Sequence, residues 1–187
     1  MKIIGINASP HGAGNTAFTI NKILEGAKEQ GAETEIFNSG SLNIKPCQGC
    51  MACKKTNKRC IVNDDMQKIY TAMENADTII LGSPVYMGQM TAQAKAVTDR
   101  MFSEISPRFS PHYKERETKK KLLLVFTQGN PEPRTFQQYF DYTKHIFEML
   151  EFEVKDVFVV AGTRTEQVQE NKTLHETMKI LGASLTE

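Results

Sequence analysis

The sequence predicts a doubly wound α/β sandwich with a five-stranded parallel sheet, in a single domain that spans residues 1–187. Three observations predict this fold. Apolar runs typical of buried strands alternate with stretches of helical periodicity. The chain is long enough for one sizeable core, and it shows no repeat, low-complexity segment or evident linker. In such a fold the loops that follow the strands meet at one edge of the sheet, where ligands bind.

The first third of the chain predicts a strand, a helix and a second strand. The run KIIGIN at 2–7 is continuously apolar, as in a buried parallel strand. In the helix that follows, the apolar positions on one face are Ile20, Ile23, Leu24 and Ala27. Gly31 is expected to end this helix, and the weaker run ETEIF at 33–37 is expected to form the second strand.

The middle of the chain predicts an irregular segment followed by three regular elements. Residues 47–60 hold all four cysteines and show no periodicity. Asp64 is expected to cap a helix over about 65–75, because its carboxylate can accept from free N–H groups. DTIILGS at 77–83 predicts a strand, and a helix is expected after Gly88. The apolar positions of that helix are Met90, Ala94, Val97 and Met101.

The last third begins with a polar stretch at 106–121, which contains two prolines and predicts a surface excursion. KLLLVFT at 121–127 and EVKDVFVV at 153–160 predict the remaining strands. Helices are expected over about 135–150 and about 166–181.

The composition excludes several classes of function. A net charge of +1 gives no field that would attract nucleic acid or an anionic membrane. No apolar run approaches a membrane span, and the N-terminus is interrupted by glycine and proline too soon for a signal peptide. We therefore expect a cytoplasmic protein with reduced cysteines and with no nucleic-acid or membrane partner.

The loop SPHGAGNTA at 9–17 has the composition of an anion-binding turn. N–H groups at a helix start face outward, and the helix dipole favours negative charge there. Lysine is absent, so the loop is not a P-loop. The predicted cofactor-binding residues of this loop are Ser9, His11, Gly14, Asn15, Thr16 and Ala17.

A dinucleotide-binding fingerprint is the alternative for this loop, because Gly12, Gly14 and Ala17 satisfy the relaxed pattern G-x-G-x-x-A. However, SPH separates the strand from the first glycine, and the second strand ends without the acidic residue that holds a ribose. The hydroxyl and amide donors suit a terminal phosphate dianion better than an internal diester. This favours FMN over NAD at the loop.

Two further loops at the same edge could hold a flavin ring. In GSPVYMGQM at 82–90, a proline stiffens the turn, a glycine allows close backbone approach and a tyrosine offers a flat ring with a polar tip. TQGN at 127–130 could close the other side of the ring. The predicted cofactor-binding residues of these loops are Pro84, Val85, Tyr86, Met87, Gly88, Thr127, Gln128 and Gly129.

In order and spacing, the three loops resemble the flavin-contacting loops of the flavodoxin-like NAD(P)H-dependent FMN reductases. The first resembles that family's S-x-R-x-x-G-N-T, with His11 where arginine is common. The resemblance implies a flavodoxin-like fold, FMN as cofactor, NAD(P)H as co-substrate and a quinone, flavin or other small molecule as electron acceptor. No catalytic acid or base is nominated, because hydride transfer belongs to the flavin.

The segment CQGCMACKKTNKRC at 47–60 is a compact run of thiols with the spacing C-x2-C-x2-C-x6-C. Four thiolates suit tetrahedral zinc, and the tight C-x2-C-x2-C spacing also suits a cubane iron–sulfur cluster. A pair of these cysteines could instead cycle between thiol and disulfide, or all four could be reduced and merely packed. Spacing alone leaves these alternatives open.

The segment is similar to the cysteine motif of the iron–sulfur flavoproteins, a branch of the same FMN-binding fold. That resemblance implies a [4Fe–4S] cluster that exchanges single electrons with FMN. The implied metal ligands are Cys47, Cys50, Cys53 and Cys60. A basic patch would then partly offset the cluster's charge and offer a docking site to an acidic, ferredoxin-like electron donor. The patch consists of Lys54, Lys55, Lys58 and Arg59.

The main interpretation is an FMN-dependent oxidoreductase that moves electrons from NAD(P)H, or from a reduced carrier, to a small acceptor. One alternative is a ferredoxin-linked iron–sulfur flavoprotein electron carrier. The other is a zinc-stabilised, non-catalytic binding module. The family resemblance also implies a homodimer or homotetramer, with residues 106–121 and 47–60 as the expected contact regions.

Overall fold

A parallel sheet forms the centre of the structure. The computed structural model describes residues 1–56, 59–105, 119–165 and 168–187. Its strands are β1 (Lys2–Asn7), β2 (Glu33–Asn38), β3 (Thr78–Tyr86), β4 (Gln89–Met90), β5 (Lys121–Thr127) and β6 (Glu153–Val160). Five of these are parallel in the order β2-β1-β3-β5-β6, and the two-residue β4 pairs antiparallel with the end of β3.

Helices cover both faces of this sheet. They are α1 (Asn15–Glu29), α2 (Ala52–Thr56), α3 (Met66–Asn75), α4 (Ala92–Ile105), α5 (Gln137–Met149) and α6 (Lys172–Ser184). Side chains from α1 and α6 pack in one apolar core, and side chains from α3, α4 and α5 pack in another. This two-sided arrangement confirms the predicted doubly wound α/β fold.

Strand β3 shows why the central runs are continuously apolar. Ile79 and Leu81 face the core on the α3–α5 side, whereas Ile80 faces the core beside α1 and α6. Because successive side chains point to opposite faces and both faces are covered, no position in the strand centre favours a polar residue.

Helices α1 and α6 approach each other through glycine. A Cβ atom added to Gly26 would lie 2.0 Å from the carbonyl oxygen of Lys179, and one added to Gly182 would lie 1.9 Å from that of Ile23. Any larger side chain at either position would force the two helix backbones apart.

Several boundaries differ from those expected. β3 continues to Tyr86 and turns into β4, so α4 begins at Ala92 instead of directly after the glycine at 88. The last helix begins at Lys172 because the Asn171 side chain accepts from the Leu174 N–H at 2.9 Å and caps it. The short α2 lies within the cysteine segment, which was expected to be irregular throughout.

Most of the predicted surface excursion, residues 106–118, lies outside the described residues, as do residues 57–58 and 166–167. None of the helices within the described ranges combines the length and the apolar character that crossing a bilayer requires.

Candidate functional site

Two adjoining cavities open at the carboxyl edge of the sheet, where the strand order reverses between β1 and β3. The first has a volume of about 280 Å³ and the second a volume of about 440 Å³. The predicted residues that line the first cavity are Ser9, His11, Gly14, Asn15, Thr16, Pro84, Val85, Tyr86, Thr127 and Gly129. The second cavity is lined by Met87, Gly88 and Gln128 and shares Val85 and Gly129 with the first. Ala17 lines neither cavity and is buried in the core.

The loop after β1 is fixed by hydrogen bonds among its own short side chains. The Ser9 N–H donates to Asn7 Oδ1 at 3.2 Å, and the His11 N–H donates to Ser9 Oγ at 3.1 Å. Asn7 Nδ2 in turn donates to Asn38 Oδ1 at 2.9 Å, which joins the loop to the end of β2. The loop therefore has its shape before any ligand arrives.

The start of α1 leaves its N–H groups available to the first cavity. Gly14 stands at the cap position in an extended conformation, with no side-chain cap, and the first turn holds no acidic residue. The first N–H groups of a helix have no acceptor within the helix, and they carry the positive end of its dipole. Thr16 Oγ1 lies 2.7 Å from Thr127 Oγ1, which joins this helix start to the end of β5. The arrangement suits an anion.

The loop after β3 projects side chains over the mouth of the cavities. Val85 pairs with Met90 and Tyr86 with Gln89, so the chain reverses through Met87. Met87 has a φ of 50°, and its side chain is 100% exposed, while Tyr86 is 47% exposed. The tight reversal explains why a glycine, with a φ of 79°, follows at position 88. An apolar and aromatic surface therefore stands open beside the first cavity.

The loop after β5 contains a buried acceptor without a partner. Gln128 is 2% exposed, and its Nε2 donates to the carbonyl oxygens of Glu132 at 2.7 Å and Asn130 at 3.3 Å. These two contacts orient the amide, so that Oε1 accepts no hydrogen bond from any described residue. Since an unpaired buried acceptor costs free energy, a ligand N–H that reached Oε1 would be favoured there.

Sequence reasoning missed a fourth loop, the one after β6. Thr163 and Arg164 line the first cavity, and Arg164 also lines the second. The signal was available: β6 is parallel to β5, so its carboxyl end had to lie at the same edge of the sheet.

The four cysteines are free thiols, of which Cys47 and Cys50 are exposed, and Cys53 and Cys60 are half-buried. Burial raises the pKa of the Cys53 thiol; Lys54 opposes this effect, and the nearby thiols of Cys60 and Cys50 add to it. Within the described ranges, however, no three potential metal ligands converge on one point. The chemistry of this donor set fits a thiolate-bound metal centre, but the thiols are not gathered around one.

Two of the four residues in the expected basic patch have partners inside the protein. Lys54 is 6% exposed, and its Nζ donates to the Phe102 carbonyl oxygen at 2.6 Å. Arg59 donates through Nε to Glu74 Oε1 at 2.7 Å. Lys55 is exposed, and Lys58 lies outside the described residues. The charge that this segment presents to a partner is therefore smaller than its sequence implies.

A buried ion pair holds the two ends of the cysteine segment together. Both side chains of the pair, Arg100 and Asp64, are fully buried, and the guanidinium donates to both carboxylate oxygens at 2.8 and 3.1 Å. The same guanidinium donates to the carbonyl oxygens of Lys45 at 2.9 Å and Val62 at 3.4 Å. Asp64 also accepts from the Met66 N–H at 3.1 Å, so its carboxylate binds the first free N–H of α3 as expected, although the cap position itself is Asp65, whose side chain makes no capping hydrogen bond.

Comparison with known proteins agrees with this geometry. The chain is 44% identical over 100 residues to an iron-sulfur flavoprotein of Methanocaldococcus jannaschii, covering 54% of this chain and 51% of that protein. An iron-sulfur flavoprotein of Methanosarcina thermophila is likewise 44% identical over 100 residues, covering 54% and 52%. The chain thus spans about half the length of the curated relatives it matches.

Solved structures match over the whole fold at low sequence identity. An NAD(P)H:quinone oxidoreductase from Methanothermobacter marburgensis superposes with a TM-score of 0.76 at 13% identity, covering 100% of this chain and 98% of that one. An FMN-dependent NADH-azoreductase from Bacillus anthracis, in complex with FMN, gives 0.64 at 16% identity, covering 100% and 99%. The family model described as NADPH-dependent FMN reductase matches residues 1–166. The chain therefore belongs to the NADPH-dependent FMN reductase family.

Proposed function

We propose that this protein is an FMN-dependent oxidoreductase that moves electrons from NAD(P)H, or from a reduced carrier, to a quinone, flavin or other small acceptor. The observation that carries the proposal is the first cavity. Among the described residues, its lining offers the N–H groups at the start of α1, the side chains of Ser9 and Asn15, and one arginine, but no carboxylate. Such a lining suits the phosphate of a mononucleotide.

The residues that would hold FMN follow from the geometry of the loops. The N–H groups at the start of α1 would bind the phosphate, and the side chain of Tyr86 would flank the ring. The unpartnered Gln128 Oε1 would suit a ring N–H, such as the imide of a flavin. When bound, FMN supplies hydride acceptance from a reduced nicotinamide and the return of electrons to an acceptor. The loops would orient the ring and exclude water from one of its faces.

Purification without oxygen and a visible spectrum test this proposal. We expect the protein to show the absorption bands of oxidised flavin, either as purified or after incubation with FMN and removal of free FMN by desalting, and we expect NADPH or NADH to bleach them anaerobically. Reduced ferredoxin is the comparison donor, and bleaching by ferredoxin alone would favour the carrier over the reductase. Protein that retains no flavin after incubation with micromolar FMN and desalting would contradict the proposal.

A second candidate function is that of an iron–sulfur flavoprotein electron carrier. The names of the relatives and the four free thiols of one short segment support it. An iron count on the anaerobic sample tests it, with Cys50→Ser as the variant. We expect the variant to keep FMN and to lose iron. Equal iron in both proteins, or zinc in place of iron, would contradict a cluster at Cys47, Cys50, Cys53 and Cys60.

The assembly and the location of the protein belong to the same proposal. We expect a homodimer or homotetramer in the cytoplasm, with a neighbouring subunit covering the exposed Tyr86 and Met87 beside the cavities. These side chains are 47% and 100% exposed, so without a covering subunit their apolar surface stays in contact with water.

A further inference from the structure

Arg164 is a cation at the proposed ligand site, and no partner for it is found in the part of the chain that the structure describes. It lines both cavities, and no other described residue that lines either cavity carries a permanent charge. The side chain is exposed, and it forms no hydrogen bond or ion pair with any of the described residues. A guanidinium at a cavity mouth that is paired with none of the described carboxylates can bind an anionic ligand.

The backbone that carries Arg164 is anchored on two sides. The Gly162 N–H donates to the Asn130 carbonyl oxygen at 2.8 Å, and the Thr163 N–H donates to that of Gln128 at 3.1 Å. These bonds join the loop after β6 to the loop after β5. On the other side, the Val168 N–H donates to Asn15 Oδ1 at 3.4 Å, at the first residue of α1. The loop after β6 is therefore held between the loop after β5 and the start of α1.

The side chain of Arg164 crosses the backbone at Gly129. A Cβ atom added to Gly129 would lie 2.7 Å from Cγ of Arg164 and 2.8 Å from both Cδ and Nε. A Cβ at this position would displace the arginine stem from the place it occupies here. The arginine stem packs against the backbone of Gly129, which restricts its motion before a ligand binds. Less side-chain entropy is therefore lost when the guanidinium binds a ligand.

We propose that Arg164 binds the phosphate group of FMN and makes the site selective for FMN over riboflavin. This inference rests on the proposed FMN site. The helix start contributes only about half a unit of positive charge, which leaves most of a phosphate dianion unneutralised. A guanidinium can donate two parallel hydrogen bonds to phosphate oxygens.

The test compares two flavins that differ only in the phosphate. Flavin-free protein is titrated with FMN and with riboflavin, and binding is followed by quenching of flavin fluorescence. For Arg164→Gln we expect FMN to bind ~10- to 100-fold more weakly, the loss typical of one charge-assisted contact, and riboflavin affinity to stay unchanged. Arg164→Lys, which keeps the charge, should recover part of the loss. The matched control is Arg134→Gln, since Arg134 is exposed and lines neither cavity.

Each outcome decides between distinct roles. Equal weakening of both flavins by Arg164→Gln would place the guanidinium against the ring and overturn the proposal, as would unchanged affinity for both. A loss of FMN affinity in Arg164→Gln that is larger at low than at high ionic strength would support the proposal, because salt screens contacts to phosphate. If the wild-type protein binds riboflavin but not FMN, both the proposed role of Arg164 and the proposed phosphate site are wrong. If it binds neither flavin, the proposed function itself fails.

Discussion

At the scale of single residues, the buried pair of Arg100 and Asp64 is the contact on which the region around the cysteines depends. Burial alone would raise the pKa of the Asp64 carboxyl, but the hydrogen bonds from Arg100 and from the N–H groups of Lys45 and Met66 outweigh it, so the pKa lies below its usual value. A buried guanidinium that lost this carboxylate would keep its charge without a partner.

We expect Asp64→Asn to lower the free energy of unfolding by about 3 kcal/mol at neutral pH, measured by urea denaturation. The folded-state pKa lies below the unfolded value of about 3.9, so the contribution of the carboxylate is complete above that pH. It is lost as the pH falls through the folded pKa, and the difference between variant and wild type should shrink there. Asp65→Asn is the control, because the Asp65 side chain is 28% exposed and its ion-pair partner, Lys68, lies at the surface. If Asp65→Asn lowered the free energy of unfolding as much as Asp64→Asn does, the buried pair would contribute no more to stability than a surface pair.

Contacts between near neighbours in the chain, and the meeting of loops at one edge of the sheet, could be predicted, whereas the hydrogen-bond partner of a single side chain far along the chain could not. The spacing of Asp64 ahead of a helix indicated its capping contact. Its partner, Arg100, lies 36 residues away and carries no local signal. The loop after β6 could have been placed at the cavity edge from the predicted parallel sheet, but the contact of Arg164 with both cavities required the folded structure.

At the scale of elements, the packing of α1 against α6 depends on the absence of two side chains. Gly26 and Gly182 lie inside helices, where glycine lowers stability by roughly 0.5–1 kcal/mol relative to alanine. The backbone contacts of about 2 Å that any Cβ would meet show why glycine stands there. Because α1 also begins at the first cavity, its position against α6 helps to set the position of its free N–H groups.

We therefore expect Gly182→Ala to destabilise the protein by at least about 2 kcal/mol, the opposite of the usual effect of alanine in a helix. Urea denaturation measures the loss. Gly12→Ala is the control, because a Cβ there would meet its nearest neighbouring atom at 4.0 Å. A Gly182→Ala protein as stable as the wild type would mean that the two helices are not in backbone contact.

Element types could be predicted better than element ends. The apolar runs identified the five parallel strands, because strands covered on both faces need no polar positions. The two-residue β4 is too short to show a periodicity, and because of it α4 begins later in the chain than predicted. The start of α6 was expected too early, since the capping side chain of Asn171 was not recognised among the polar residues before it.

At the scale of the whole molecule, the candidate site is assembled from chain segments that span most of the fold. The first cavity takes residues from the loops after β1, β3, β5 and β6, and these strands are neighbours only in the folded sheet. A ligand held by all four loops binds the folded state and not the unfolded chain. Its binding free energy therefore adds to the stability of the entire fold.

We expect FMN at 100 times its dissociation constant to stabilise the protein by about 2.7 kcal/mol, which raises the melting temperature by roughly 5–10 °C for a domain of this size. Differential scanning fluorimetry at several FMN concentrations measures the shift. Asp64→Asn supplies a matched background, because Asp64 lines neither cavity. Its melting temperature should start lower and rise by a similar amount, as distant contributions add independently. No shift in the wild type would argue against FMN binding, and a shift lost in Asp64→Asn would show that the cysteine region and the cavities are coupled.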